Sequence, residues 1–375
     1  MMPELIVAKK EFKDYLTSKR FLLIFGVLIW ITIAAVISGL SSYNSELGSY
    51  NSMLSRASTM VANATFQGGN AFQPTMPSML LIFENFSTSF ITIGWLLAIA
   101  IGFDLISKEK ETGSLKLLLA RPTYRDSIIN GKIIGAVSIL VVSLLATFLI
   151  ALAILLFAGV VPTGDDLARL AMFFVMIVLF SVAFLAIGIA ASAIAKNSTI
   201  SILLAIGFVA FSLILPSFTG SIYEGIMGQS PSAMSMSSAV TASSSSTSTS
   251  GTAASGTFDP ASGGGPNGNR SMIQMTVNPE YTSYWTTRNQ VTELVNLLSP
   301  TNDLNGISRV VVSGESGPTE NSASGQFDFS SRGMTSSTTL SESLSSILPQ
   351  VLALLVMSIA GFGIAYAKFV RMDVR

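Results

Sequence analysis

The side chains best suited to chemistry crowd into one short stretch. Lys108-Glu109-Lys110-Glu111 alternates charge and Gly113 follows it. Leu115, Leu118 and Leu119 then make an apolar edge before Pro122 and Arg125. One carboxylate, Asp104, lies just upstream in an otherwise apolar run. Groups of this kind could move protons, hold a cation or grip a partner. The rest of the chain narrows the choice. It has no cysteine and no histidine. That removes disulfides, thiolate nucleophiles, imidazole bases and ordinary zinc sites. The apolar segments contain no paired carboxylates, and no serine lies beside a credible base, which argues against an intramembrane enzyme. Met227, Met234, Met236, Met272, Met275 and Met334 lack Cys or His companions and do not make a soft-metal site. The expectation is no catalytic residue and no metal. The chain also lacks G-x-x-x-x-G-K-[ST], so it has no phosphate-cradling loop of its own.

The elements that position this stretch follow from composition. Half of the 375 residues are hydrophobic and 11% are charged, against roughly 25% charged in soluble domains. A bilayer core is crossed by roughly 20 apolar helical residues. Phe21–Leu40, Phe86–Ile106, Ile133–Val161, Leu167–Ala195, Ile200–Leu215 (closed by Pro216) and Ile347–Phe369 meet that requirement. The first is too long for a signal-peptide core. None has the period-2 alternation of a barrel, so helices are expected. Asp104 sits within one turn of the end of the second run, where pairing with Lys108 or solvation suits it. Glu84 is expected at the opposite boundary, in water.

Orientation follows from the basic residues. Of 21 Lys and Arg, only Arg56, Arg169, Arg270, Arg288, Arg309 and Arg332 fall on one side, and four of these share one long loop. Long loops count for little in this rule. The other side, with both termini, is expected to be cytoplasmic in a multi-pass protein of the cell membrane. An even number of spans agrees.

Outside the spans, Leu5, Ala8, Phe12, Tyr15 and Leu16 recur at helical spacing, predicting an amphipathic interfacial helix. Tyr43, Leu47, Tyr50, Leu54, Ala57 and Val61 predict that the first helix runs on beyond the membrane, with an apolar partner in the second outer segment. That segment, 217–345, is the unusual one. Residues 229–271 are low in complexity and are expected to stay unfolded. Helix is expected to resume near Pro279, with Tyr281, Tyr284, Trp285, Val291, Leu294, Val295 and Leu298 on one face, and to stop near 299. Residues 318–340 read as loose. Asn63-Ala64-Thr65 and Asn269-Arg270-Ser271 fit a glycosylation pattern that arises often by chance. The resulting divisions are 1–216, 217–345 and 346–375.

The 109–122 stretch reads as a short amphipathic helix between the second and third spans. Thr123 and Asp126 have the spacing to start the helix that follows. The residues alone support two readings equally: a helix docked in a groove of a soluble partner, or an elbow covering headgroups. Glu109-Lys110-Glu111-Thr112-Gly113-Ser114-Leu115, then Leu119-Ala120-Arg121-Pro122-Thr123-Tyr124-Arg125, resembles the signature of ABC-2 type permeases. Gly131-Lys132, and Lys9-Lys10-Glu11-Phe12 through Ser18-Lys19-Arg20-Phe21, are similar to the same family's features. The six-span plan matches along the whole chain, while the motif covers some 30 residues. The long 217–345 region departs from simpler members.

The resemblance implies an all-α integral membrane protein of six transmembrane helices, with an N-terminal elbow helix (Leu5, Phe12, Tyr15, Leu16) and a cytoplasmic coupling helix. Glu109, Glu111, Gly113, Leu115, Leu118, Leu119, Pro122 and Arg125 would couple it to a cytosolic ATPase subunit. ATP and Mg would bind that partner, and a second permease copy or paralogue would complete a dimer. Nucleic acid is not an expected partner. The competing reading is a membrane anchor or sensor that displays 217–345. Gly188, Ala190, Ala191, Ser192, Gly361 and Gly363 suit close helix packing, within one chain or across a dimer. Deleting 232–268 should leave the protein membrane-inserted and assembled, as membrane fractionation and size-exclusion profiles would show; loss of insertion would contradict the low-complexity reading.

Overall fold

Six helices of the computed structural model are long and apolar enough to cross a membrane. The structure describes residues 3–62, 76–113, 125–228, 230–231, 234–236, 275–277, 279–313 and 340–371. Leu115, Leu118, Leu119, Pro122, the Asn63 and Asn269 patterns, and nearly all of the 229–271 and 318–340 stretches lie outside the described residues.

In chain order the helices are α1 (Pro3–Leu16), α2 (Lys19–Ala62), α3 (Leu81–Ile93), α4 (Trp95–Gly102), α5 (Ser107–Glu111), α6 (Arg125–Phe157), α7 (Gly164–Ile194), α8 (Ser198–Met227), α9 (Pro279–Asn296), α10 (Pro300–Ser308) and α11 (Leu340–Val370). A π-helical turn, Arg309–Ser313, extends α10. Two short strands, β1 (Met234–Met236) and β2 (Met275–Val277), pair antiparallel with Met234 opposite Val277. The crossings are α2, the α3–α4–α5 series, α6, α7, α8 and α11. The chain is an all-α, six-span membrane protein.

Contacts divide it into two units: Met1–Gly220 with Val291–Arg375, and Ser221–Gln290. In the larger unit, phenylalanines interleave from three helices. Phe86 of α3 meets Phe173 of α7 with ring centroids 6.4 Å apart, Phe90 meets Phe180 at 6.1 Å, and Phe83 meets Phe148 of α6 at 6.1 Å. Lipid is as apolar as these side chains, so close packing must hold the helices together. Small residues permit it. A Cβ on Gly102 of α4 would lie 2.9 Å from the Leu185 carbonyl oxygen, and Gly188 faces Gly102 across the same crossing. A Cβ on Gly361 of α11 would lie 2.8 Å from that of Ala186. Gly188 and Gly361 therefore pack within the chain, whereas Gly363 has open space around it.

The smaller unit is held by aromatic contacts. Tyr223 stacks edge-on against Tyr284 at 5.2 Å, and Arg288 covers the Trp285 ring at 4.4 Å. The Tyr284 hydroxyl donates to the Gly228 carbonyl at 3.1 Å.

As the stripe from Tyr43 to Val61 predicted, α2 runs on as one unbroken helix of 44 residues, about 66 Å at 1.5 Å per residue. On its predicted outer stripe, Tyr43 packs against the core, Leu47, Tyr50 and Ala57 are half-buried, and Leu54 is exposed. One element differs from the sequence reading: α8 continues through Pro216 to Met227 rather than stopping there. Proline removes the N–H that would bond the carbonyl four residues earlier, here that of Ser212. The Ser299 hydroxyl donates to that oxygen at 2.8 Å, so the break costs no unpaired acceptor. α9 ends at Asn296, close to the stop expected near 299, and a helix that the sequence reading did not include follows it at Pro300. α10 and the π turn pack against α3, α7 and α11, with Leu304, Ile307, Val310, Val311 and Val312 buried.

Ser299→Ala should expose this repair. Ser299 is fully buried, and leaving the Ser212 carbonyl unpaired should cost about 1–3 kcal/mol. Thermal unfolding in detergent would read the loss, while Ser55→Ala on the exposed face of α2 should stay within about 0.5 kcal/mol.

Candidate functional site

The charged stretch is built on α5, a helix of only five residues. So short a helix cannot support itself, and its neighbours hold it. The chain bends after α4, leaving the first amides of α5 without carbonyl partners. The Ser192 hydroxyl, from the end of α7, accepts from both Ile106 N and Ser107 N at 2.9 Å. Ser201 of α8 donates to the Phe103 carbonyl in the same bend.

The three side chains Glu109, Lys110 and Glu111 then grip different helices. Glu109 bonds the Lys132 ammonium of α6 at 2.8 Å, and Glu11 of α1 bonds the same ammonium at 2.8 Å. Lys110 donates to the carbonyls of Ala193 at 2.6 Å and Ala195 at 2.9 Å, capping the C-terminal end of α7. A cation is favoured there by the helix dipole. Glu111 accepts from the Ser198 amide at 3.2 Å, at the N-terminus of α8, where an anion is favoured. Gly113, just past the end of α5, takes φ +70° and lets the chain turn away.

Lys132 is 1% exposed. A buried ammonium needs counter-charges, and two carboxylates supply them. One Glu109 oxygen, Oε2, is buried without a hydrogen-bond partner among the described residues. Beside the joint is a cavity of about 190 Å³, lined by Glu11, Tyr15, Asp104, Lys108, Glu109 and Lys132 among others. The Tyr15 hydroxyl crosses its wall to donate to the Ile101 carbonyl at 2.7 Å. Burial holds the Tyr15 phenol well above its ordinary range, and the nearby carboxylates, led by Asp104, add to the effect. Among the described residues no group of three or more His, Cys, Asp or Glu side chains could hold a metal ion.

The sequence-derived residues distribute as follows. Glu109 and Glu111 lie in the joint and Gly113 ends it. Arg125 is the first residue of α6, and its side chain lies outside the described residues. Asp104 lines the cavity half-buried, and no ion pair within 4 Å joins it to Lys108 among the described residues; Lys108 and Arg20 are the cations whose fields reach it. Glu84 is exposed. On α1, Phe12 and Tyr15 turn inward while Leu5 and Leu16 are exposed. The inward face is set by small residues: a Cβ on Gly131 would meet Val7 at 2.7 Å, and one on Gly135 would meet Glu11 at 2.9 Å. Thr163 and Asp166 form a capping box at the start of α7, and Arg169 pairs with Asp165 at 3.3 Å. Sequence reasoning missed the hub, Lys132, and its partner Glu11. The available signal was the lone cation of Gly131-Lys132 at the start of an apolar run.

Six crossings, with a multi-helix ionic joint at the end of the bundle where α6 begins, define a polytopic membrane protein. The chain belongs to the ABC-2 family of transporter proteins, whose family model matches residues 5–374. Members are the membrane-spanning permeases of ABC transporters and generally work with an ATPase subunit. No curated protein matches the chain.

Lys132→Met should leave Glu11 and Glu109 as unpaired buried carboxylates and cost about 3–5 kcal/mol of stability. Adding Glu11→Gln and Glu109→Gln to it should recover most of that loss. Unfolding measured across the set would show the coupling as non-additivity; simple additivity would contradict a shared joint.

Proposed function

We propose that this chain is the permease of an ATP-driven exporter in the cell membrane, with the joint-bearing end and both termini in the cytosol. The observation that carries the reading is the shared Glu109–Lys132–Glu11 ion pair. It ties together the helix that leads into residues 114–124, the helix that follows them, and the elbow helix. A load applied to 114–124 would therefore reach α1, α5 and α6 together, and through Lys110 and Glu111 also α7 and α8. That is the mechanical requirement for a coupling segment: a rigid root that moves whole helices rather than a loop that yields.

In this reading two cytosolic ATPase subunits bind ATP and Mg and close. Leu115, Leu118 and Leu119 seat in a groove of the ATPase, and the resulting displacement rocks the spans against those of a second permease. Basic residues crowd the joint-bearing end, which supports its cytosolic placement. The apolar spans suit an amphipathic cargo.

Two measurements test this. The chain is naturally cysteine-free, so Lys116→Cys can be probed with a membrane-impermeant maleimide. It should react in inverted vesicles and not in intact cells; the reverse would place the joint outside and end the proposal. Leu118→Ser with Leu119→Ser should weaken retention of the co-purifying ATPase by tenfold or more, as expected on losing about 2 kcal/mol of anchoring contact. Unchanged retention would remove the coupling role.

A further inference from the structure

α10 brings a carboxylic acid into the packed bundle that no part of the coupling reading uses. Asp303 is 2% exposed, and its Oδ2 has no hydrogen-bond partner among the described residues. It lies in the first turn of α10, its amide bonded to the Ser299 carbonyl at 3.1 Å. α10 has nine residues and is not one of the six crossings. It packs against α3, α7, α11 and the π turn.

The charged groups on those elements do not compensate Asp303. Glu84 of α3 and Arg309 of the π turn are exposed. On α7, Arg169 pairs with Asp165, while Asp166 is taken up by the Thr163 cap. On α11, Lys368 lies near the far end, and the side chain of Glu342 lies outside the described residues. Burial alone therefore sets the acidity of Asp303 and pushes it up to about 8. At the start of α10, Ser299 and Thr301 join Ser212 of α8 in a chain of three buried hydroxyls: Ser212 to Ser299 at 3.1 Å and Ser299 to Thr301 at 2.9 Å. Hydroxyls can both accept and donate a proton.

We propose that Asp303 is a proton-binding site, neutral while α10 is packed in the bundle and ionised when an opening motion wets it. On opening, the carboxyl O–H bond breaks and the proton passes to entering water; on closing, the carboxylate takes one back. The cycle then exchanges one proton at this residue, and alkaline pH favours the open form. An unpartnered buried oxygen is what such a site needs. A paired carboxylate would keep its charge in both states and carry nothing. The inference is independent of the ATPase reading, since it concerns α10 and not the joint.

The test uses the full-length protein in lipid nanodiscs. Infrared difference spectra between neutral and strongly alkaline pH should show the carbonyl band of a protonated carboxylic acid disappearing in the wild type. Asp303→Asn should lack that band change, and Asp303→Glu should retain it at a shifted frequency, which serves if the Asn variant folds poorly. Thermal stability gives a second readout. The folded-state value is raised, so stability should fall as pH rises from the ordinary carboxylate range towards 8, by about tenfold in the folding equilibrium per pH unit. That fall should be absent in Asp303→Asn. Identical spectra, or parallel stability curves, for wild type and Asp303→Asn would overturn the proposal.

Discussion

A single buried ammonium organises one end of this protein. Lys132 cannot leave water alone, because an isolated charge in a low-dielectric interior is costly. It is stable only if Glu11 and Glu109 arrive with it, and these come from helices far apart in the chain. α1, α5 and α6 therefore assemble together or not at all. An ion pair adds little net stability compared with apolar packing of equal volume. It adds specificity: one register of α1 along α6, and one placement of α5 beside both. Gly131 and Gly135 make that register sterically possible by letting α1 approach the α6 backbone.

The same logic recurs wherever a helix is interrupted. At the bend before α5, the Ser192 hydroxyl of another helix receives two stranded amides. At Pro216, the Ser299 hydroxyl serves a stranded carbonyl. Away from water, each broken backbone bond must find a partner inside the protein. Both repairs come from residues distant in sequence, so each is also a tertiary contact. The interruptions thereby become crosslinks: one fastens α5 to the end of α7, the other fastens the start of α10 to the middle of α8.

Such crosslinks explain what could and could not be read from the residues. The six crossings were legible because length and apolarity are local properties. Pro216 looked like a stop because the rule for proline is local too, whereas its rescue depends on Ser299, 83 positions on. α10 was invisible: Pro300-Thr301-Asn302-Asp303 has neither apolar periodicity nor length, and its burial is imposed by α3, α7 and α11. The charged stretch was recognisable as a unit. The division of labour among Glu109, Lys110 and Glu111 was not, because it depends on which helix ends converge there. Lys132 counted towards orientation and, with Gly131, towards the family resemblance, but not as a hub. On α1 the leucines suggested the packed face, yet small residues set it, leaving Leu5 and Leu16 outside.

The length of α2 has a mechanical corollary. About 66 Å of unbroken helix exceeds the roughly 30 Å hydrocarbon layer by more than any tilt can absorb. A single crossing uses about half of that length and leaves the rest as a mast. Its foot begins three residues after α1, the helix that bears Glu11. A mast converts angle into distance. A small rotation at the foot would sweep the far end of the helix through a much larger distance than it moves the foot.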